Sequence, residues 1–210
     1  MIMNIASNYI YSFLAGYLSG SILFAWVVTK IVTGKNIREQ GGGNPGVVNV
    51  INIVGKKWGI LTAILDLLKV IFPLLIARYF NLGDACLILI SIGSIIGHLY
   101  PVYFRFRGGK GVACVMGSYF VLFPYEALIS ILISILIFSI KKSMRERFSF
   151  FFPITLVILS YIISFAFIHS LTIRIGMIAI VLTTFLNRKN RSNFLNILEK
   201  LIKKKGGIKL

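Results

Sequence analysis

Seven stretches of apolar residues, several of them long enough to cross a lipid bilayer, dominate this sequence of 210 residues. Their approximate bounds are 8–33, 58–80, 84–104, 110–124, 125–140, 150–168 and 171–186. An α-helix rises about 1.5 Å per residue, so about 20 apolar residues span the hydrocarbon core. Backbone groups inside a bilayer must be hydrogen-bonded within the protein, which an α-helix achieves. The sequence therefore predicts an all-α polytopic membrane protein with about seven transmembrane helices.

The fourth and fifth apolar stretches are short and meet at Phe123-Pro124-Tyr125. Proline in the interior of a helix removes a hydrogen bond and clashes with the preceding turn, so we expect a turn here. We find no repeat, linker or second domain, and therefore expect one integral-membrane domain over residues 1–210. Residues 190–210 alternate apolar side chains with lysines, which predicts a basic amphipathic helix on the membrane surface.

Basic residues are concentrated on one side of the predicted membrane. The chain has 23 Lys+Arg against 6 Asp+Glu, and its net charge is +17. If the N-terminus lies outside, only Arg78 and Arg174 fall on the outer side and Lys69 lies inside a span. Cytoplasmic loops are enriched in Lys and Arg, so we expect an outer N-terminus and a cytoplasmic C-terminus. In so apolar a chain, these cations indicate contact with anionic lipid rather than nucleic acid.

Two of the predicted cytoplasmic loops are rich in both glycine and cations, at residues 35–57 and 97–114. Glycine allows successive backbone N–H groups to point into one concavity, which suits phosphate, and lysine adds a charge for the same anion. The alternative is that these glycines only form tight turns between helices. Residues 41–46, GGGNPG, match the dinucleotide fingerprint literally, but a membrane span precedes them instead of a strand, which argues against that site.

Ionisable residues within the predicted spans are expensive to bury and therefore informative. Asp66 and Lys69 are three residues apart on one helix face, so we expect them to pair, in either a structural or a catalytic role. His98 lies near the cytoplasmic end of the third span, where it is suited to shuttle protons or to bind an oxyanion. Two small-xxx-small pairs, Gly16/Gly20 and Gly93/Gly97, predict close helix packing.

Several classes of chemistry are excluded by the residues. No cluster has metal-ligand spacing, and no G-x-S-x-G nucleophile elbow is present. We expect neither a metal nor a cofactor. Cys86 and Cys114 fall in or near apolar spans and are interpreted as small buried side chains.

Four segments of the chain form a more specific pattern. They are Tyr17–Ile22, Ile37–Val50 with Asp66 and Lys69 following, Gly97–Ala113, and Asn187–Asn190. This pattern resembles the bacterial PlsY family of acyl-phosphate:glycerol-3-phosphate acyltransferases over most of the chain, and most closely in Gly97–Ala113. The resemblance implies a seven-helix fold whose motifs face the cytoplasm, in the bacterial cytoplasmic membrane.

The reaction implied by the resemblance moves a fatty acyl group from acyl phosphate to the hydroxyl of glycerol 3-phosphate, giving lysophosphatidic acid in phospholipid biosynthesis. The implied partners are these two substrates, the bilayer and the soluble enzyme that forms acyl phosphate. We expect His98, Lys110 and Asn190 to be catalytic. The residues expected to bind substrate phosphate are Gly42, Gly43, Asn44, Gly46, Asn49, Gly108, Gly109, Gly111 and Arg188. Arg38, Asp66 and Lys69 are site residues whose role is left open.

The chain departs from the family pattern at three positions. Gly42 stands where the family usually has serine, Asn52 where it has arginine, and Asn187 where it has histidine. Loss of an arginine removes bidentate phosphate binding, although asparagine still offers N–H donors. The alternative function is therefore a paralogue that binds lipid or phosphate with no reaction or an altered one. A transporter of an anionic substrate is less favoured, because no paired broken helices or inverted repeats are evident.

Overall fold

The computed structural model describes residues 2–140, 155, 158–163 and 171–184, and these residues contain no β-strand. The helices are α1 (Ile2–Gly20), α2 (Phe24–Thr33), α3 (Val47–Ile53), α4 (Lys56–Tyr79), α5 (Asp84–Leu99), α6 (Val112–Leu122), α7 (Pro124–Ile140) and α8 (Leu171–Thr184). Short 3-10 turns lie at Ile37–Glu39 and Val102–Phe104. The predicted all-α class is confirmed for this part of the chain.

Three of the described stretches are long and apolar enough to cross a membrane, namely Ala6–Thr33, Lys56–Tyr79 and Asp84–Phe104. The helices Val112–Leu122 and Pro124–Ser134 are apolar but shorter. Large apolar side chains face outward, as at Phe72, which is 67% exposed, and Leu132, which is 61% exposed. Outward apolar surface of this extent is suited to lipid rather than water. The described helices therefore support a protein embedded in a membrane.

Helices α1 and α5 pack against each other through their glycines. A Cβ atom at Gly16 would lie 2.2 Å from the carbonyl oxygen of Ile90, and one at Gly20 would lie 2.1 Å from that of Ser94. The reciprocal glycines of α5, Gly93 and Gly97, are equally close to the backbone of α1. Small residues permit this backbone approach, as the two small-xxx-small pairs predict. That prediction is confirmed.

The uniform hydropathy of the first apolar stretch suggested one continuous helix, but the structure shows two. It breaks at residues 21–23, between α1 and α2. Irregular backbone at membrane depth is tolerated where the protein satisfies its polar groups. Here Lys69 Nζ donates to the Ile22 carbonyl over 2.7 Å, and the Asp66 carboxylate lies close to the Phe24 N–H. The buried pair on α4 thus holds the break in the first span.

The turn predicted at Pro124 is present. Helix α6 ends at Leu122, and Pro124 is the first residue of α7, a position where its missing N–H breaks no helical bond. Buried residues of α4, α5 and α6, together with Phe123 in the turn, form the main apolar core, including Val70, Leu74, Ile95, Leu99 and Tyr119. Cys86 and Cys114 are buried free thiols, as predicted.

Candidate functional site

The two glycine-rich loops meet at the end of the bundle where α4 begins and α5 ends. Arg38 in the first loop donates to the carbonyl of Phe104 in the second loop over 3.3 Å, and its guanidinium lies 5.3 Å from the centroid of the Phe104 ring. Its Nε and Nη2 atoms are buried without a hydrogen-bond partner in the described structure. Burial, with a smaller contribution from Arg107, lowers the pKa of Arg38 from its usual value. Arg38 therefore joins the loops and adds positive charge at their junction.

The first loop is organised around Asn49, which is buried on α3. Its side-chain amide donates to the carbonyls of Ile37 and Gln40 over 3.2 and 3.0 Å, and its Oδ1 accepts the Gly42 N–H over 3.1 Å. Both amide protons of Asn49 are therefore used inside the loop. This side chain therefore holds the loop in shape, and the phosphate contact expected for Asn49 remains a prediction.

Backbone amides of the first loop are also engaged. Besides Gly42, the Gly43 N–H donates to Gln40 and the Gly46 N–H to Asn44, over 3.0 and 2.9 Å. Gly43 has a φ of 63°, which a residue with a side chain rarely adopts. These amides form the turns of the loop, and their role in cradling phosphate remains a prediction. The Asn44 side chain lies against Gly46, where a Cβ would be 2.8 Å from Asn44 Nδ2.

The second loop folds back onto the end of α5. The Gly108 and Gly109 amides donate to the carbonyls of Leu99 and His98, each over 3.0 Å. These carbonyls belong to the last turn of α5, where the helix itself supplies no partner. The phosphate role expected for Gly108 and Gly109 likewise remains a prediction. Gly111, with a φ of 80°, precedes the first residue of α6, and half-buried Lys110 lies beside it.

Gly109 is the point where both loops and His98 come together. A Cβ atom at this position would lie 2.3 Å from His98 Nε2 and 3.1 Å from the carbonyl oxygen of Pro45 in the first loop. Gly109 is buried, so its neighbours have little room to move away. Only glycine therefore fits between the ring and the first loop, a steric requirement that the sequence did not indicate.

A buried chain of three ionisable groups runs beneath this junction. Lys69 Nζ lies 2.8 Å from Asp66 Oδ1 and 2.9 Å from His98 Nδ1. Asp66, Lys69 and His98 are 1%, 6% and 4% exposed. The lysine–aspartate contact is an ion pair, and Asp66 Oδ1 accepts no hydrogen bond in the described structure. The expected pairing of Asp66 with Lys69 is confirmed, and the chain extends to His98, which the sequence did not indicate.

The three departures from the family pattern fall in different places. Gly42 is exposed, and a Cβ atom there would meet no atom within 4 Å. Asn52 is exposed on α3. Asn187 lies outside the described residues, as do Arg188, Asn190 and the amphipathic tail predicted over 190–210. The described part of the site therefore comprises the two loops, Lys110 and the buried chain ending at His98.

Fold and site together define a membrane-embedded α-helical protein with a polar, cationic site at one end of its helices. The family model described as glycerol-3-phosphate acyltransferase matches residues 10–200. This chain belongs to that family.

Individual relatives agree with the family match. A glycerol-3-phosphate acyltransferase of Aquifex aeolicus is 36% identical over 183 residues, which is 87% of this chain and 91% of the relative. One from Anaeromyxobacter is 45% identical over 118 residues, covering 54% of this chain and 58% of the relative. Among solved structures, the glycerol 3-phosphate form of PlsY, an integral membrane glycerol 3-phosphate acyltransferase, has a TM-score of 0.76 and 34% identity. That match covers 90% of this chain and 92% of PlsY.

Proposed function

We propose that this protein transfers a fatty acyl group to a hydroxyl of glycerol 3-phosphate, forming lysophosphatidic acid for phospholipid synthesis. The observation that carries the proposal is the meeting of both family motifs at Gly109, directly above the buried chain that ends at His98. The family match over residues 10–200 and the solved PlsY structure support the same activity. A non-catalytic paralogue is not favoured, because the relatives are named as acyltransferases.

The acyl donor in this proposal is acyl phosphate, a mixed anhydride that is already activated. The acceptor hydroxyl oxygen forms a bond to the acyl carbon, and the bond from that carbon to the phosphate oxygen breaks. Inorganic phosphate leaves, and the hydroxyl proton passes to it or to solvent. No redox change and no covalent enzyme intermediate are required. Such a reaction is accelerated mainly by positioning the reactants and by stabilising developing negative charge.

Both substrates are phosphate esters or anhydrides, and the site supplies cations for them. Lys110 offers an ammonium group that binds phosphate as a point charge. Arg38 has two guanidinium nitrogens without a hydrogen-bond partner in the described structure, close to the charge of Arg107. We assign Lys110 to one phosphate, assisted by the side chain of Asn44. Arg188 and Asn190 complete the site in this proposal and lie outside the described residues.

The proposed arrangement has seven spans, an outer N-terminus and a site that faces the cytoplasm across the bacterial cytoplasmic membrane. The one-sided distribution of Lys and Arg supports this orientation. Both glycine loops, with Arg38 and Lys110, lie at the end of the bundle that would then be cytoplasmic. A soluble enzyme that makes acyl phosphate would deliver the donor from that side.

The proposal is tested with protein purified into lipid nanodiscs and supplied with acyl phosphate and radiolabelled glycerol 3-phosphate. We expect labelled lysophosphatidic acid, with acyl-CoA giving none as the donor control. Lys110→Met should reduce turnover on the order of 10²-fold while the protein stays folded. Absence of product from folded native protein, with acyl phosphate intact, would overturn the proposed reaction. Product from acyl-CoA alone would overturn only the donor.

A further inference from the structure

The Lys69 ammonium group is surrounded by two hydrogen-bond acceptors and one ion-pair partner. They are the Ile22 carbonyl at 2.7 Å, His98 Nδ1 at 2.9 Å and Asp66 Oδ1 at 2.8 Å. An ammonium group donates hydrogen bonds and accepts none. The contact with His98 therefore requires a lone pair on Nδ1. A neutral imidazole with a lone pair on Nδ1 carries its proton on Nε2.

We propose that Lys69 is a positioning residue that fixes His98 in the Nε2–H tautomer, so that His98 serves the reaction as a hydrogen-bond donor. The Nε2 atom lies against Gly109, where the second loop meets Pro45 of the first loop. This donor therefore points to the junction at which the substrates are proposed to meet. The catalytic role of this donor rests on the proposed acyltransferase function. The assignment of the tautomer does not depend on that function.

A donor at this point suits the chemistry better than a base. Negative charge develops on the acyl carbonyl oxygen during attack, and a preorganised N–H group stabilises it. The neighbouring Lys69 ammonium disfavours a second positive charge on the ring, as two like charges in contact repel. In this mechanism His98 therefore does not accept the hydroxyl proton, which passes to the leaving phosphate or to solvent.

Asp66 is the second positioning residue. An isolated ammonium group within the span would be very costly, and the Asp66 carboxylate provides the compensating charge. It lies three residues before Lys69 on α4, and its carboxylate is also close to the Phe24 N–H at the start of α2. Asp66 and Lys69 thus have two roles. They stabilise the break in the first span, and they determine which ring nitrogen of His98 carries the proton.

The tautomer can be observed directly, because the chain contains two histidines. The variant His169→Gln leaves His98 as the single histidine, and ¹⁵N-histidine labelling then gives one ring to assign in nanodiscs. Long-range ¹H–¹⁵N correlation spectra distinguish the two neutral tautomers and the imidazolium. We expect the Nε2–H form at neutral pH. An Nδ1–H form or an imidazolium would overturn the proposal, regardless of any activity.

The role of Lys69 is tested by comparing a single and a double variant in the same background. Lys69→Met leaves Asp66 buried without its partner and should be strongly destabilised. Asp66→Leu with Lys69→Met removes both charges, and we expect it to regain thermal stability. If Lys69 sets the tautomer, this stable double variant should show a mixture of the two neutral tautomers of His98. An unchanged Nε2–H spectrum would overturn the positioning role of Lys69.

The kinetics of two His98 variants distinguish a role as hydrogen-bond donor from a role as general base. His98→Gln retains an N–H donor and cannot take up a proton, whereas His98→Ala retains neither. We expect kcat to fall on the order of 10²-fold or more in His98→Ala, with little change in KM, and to fall much less in His98→Gln. Equal losses in both would overturn the donor role.

Ser91→Ala provides the matched control for these variants. Ser91 is a buried residue of α5 that bonds only within its own helix, to the Leu87 carbonyl in the described structure. Its substitution should leave both the histidine spectrum and turnover unchanged. If native protein makes no product, the proposed function fails, while the NMR experiment still decides the tautomer.

Discussion

Lys69 on α4 donates a 2.7 Å hydrogen bond to the carbonyl of Ile22, which lies in the break between α1 and α2. The same ammonium group contacts His98 beneath the two glycine loops. One buried side chain therefore couples the shape of the first membrane span to the polar site. A substitution that disturbs this pair should affect fold and function together, and the choice of variant decides whether the two effects can be separated.

Replacing Asp66 with Asn should destabilise the protein by about 3–5 kcal/mol, since Lys69 would be left as a buried charge without its counter-ion. Thermal unfolding of the purified protein in detergent measures the loss. Thr62→Val is the control on the same helix, because Thr62 is also buried but its hydroxyl bonds to the Trp58 carbonyl of its own helix. A native-like unfolding temperature for Asp66→Asn would contradict the importance of the ion pair.

Asn49→Leu should loosen the first glycine loop. It removes the donors to Ile37 and Gln40 and the acceptor for the Gly42 N–H, and each unsatisfied buried group costs about 1–3 kcal/mol. We expect lower thermal stability and a raised KM for glycerol 3-phosphate. Asn52→Leu on the same helix is the control for stability, since Asn52 is exposed. Equal stability of the two variants would argue against the bracing role of Asn49.

Gly109→Ala should reduce turnover strongly, because the added methyl group would lie 2.3 Å from His98 Nε2 and 3.1 Å from the Pro45 carbonyl. The ring or the first loop must then move, and small displacements of reacting groups lower rates on the order of 10²-fold. Steady-state kinetics in nanodiscs measures this. Gly83→Ala, which has open space around its Cβ position, should behave like the native protein. Full activity of Gly109→Ala would show that the junction is looser than its geometry indicates.

Restoring the family residues should improve catalysis. Gly42→Ser places a hydroxyl in open space at no steric cost, and Asn52→Arg adds a guanidinium capable of bidentate phosphate binding. We expect the double variant to have a higher kcat/KM for glycerol 3-phosphate, mainly through a lower KM. Gly42→Ala with Asn52→Gln is the control that adds side chains without these groups. If the control gains as much as the double variant, recognition of phosphate does not explain the gain.

Local features of the fold followed from sequence. The small-xxx-small pairs predicted close helix packing, which is found between α1 and α5. Pro124 predicted the turn between α6 and α7, and the spacing of Asp66 and Lys69 predicted their ion pair. Each of these depends on neighbours a few residues apart along one helix. Periodicity and proline chemistry are sufficient at that range.

Contacts between separate helices could not be predicted in the same way. His98 and Lys69 are 29 residues apart in sequence, and nothing in either segment indicates that the ring faces the ammonium group. The break at residues 21–23 was missed because hydropathy does not detect a backbone interruption that another helix stabilises. The hydrogen bonds of the glycine amides to Gln40, His98 and Leu99 were also not predicted, because they depend on the folded loops.

The break in the first span also implies an order of structural events while the chain is being synthesised. Residues 21–23 leave the ribosome well before Lys69, which follows Ile22 by 47 positions. Until α4 has entered the bilayer, the Ile22 carbonyl and the Phe24 N–H have no protein partner there, and hydrocarbon offers none. The nascent first span is therefore most stable as an unbroken helix, and it acquires its final bend only when α4 arrives beside it. The bend in the first span is thus in place before α5 and the second glycine loop complete the polar site.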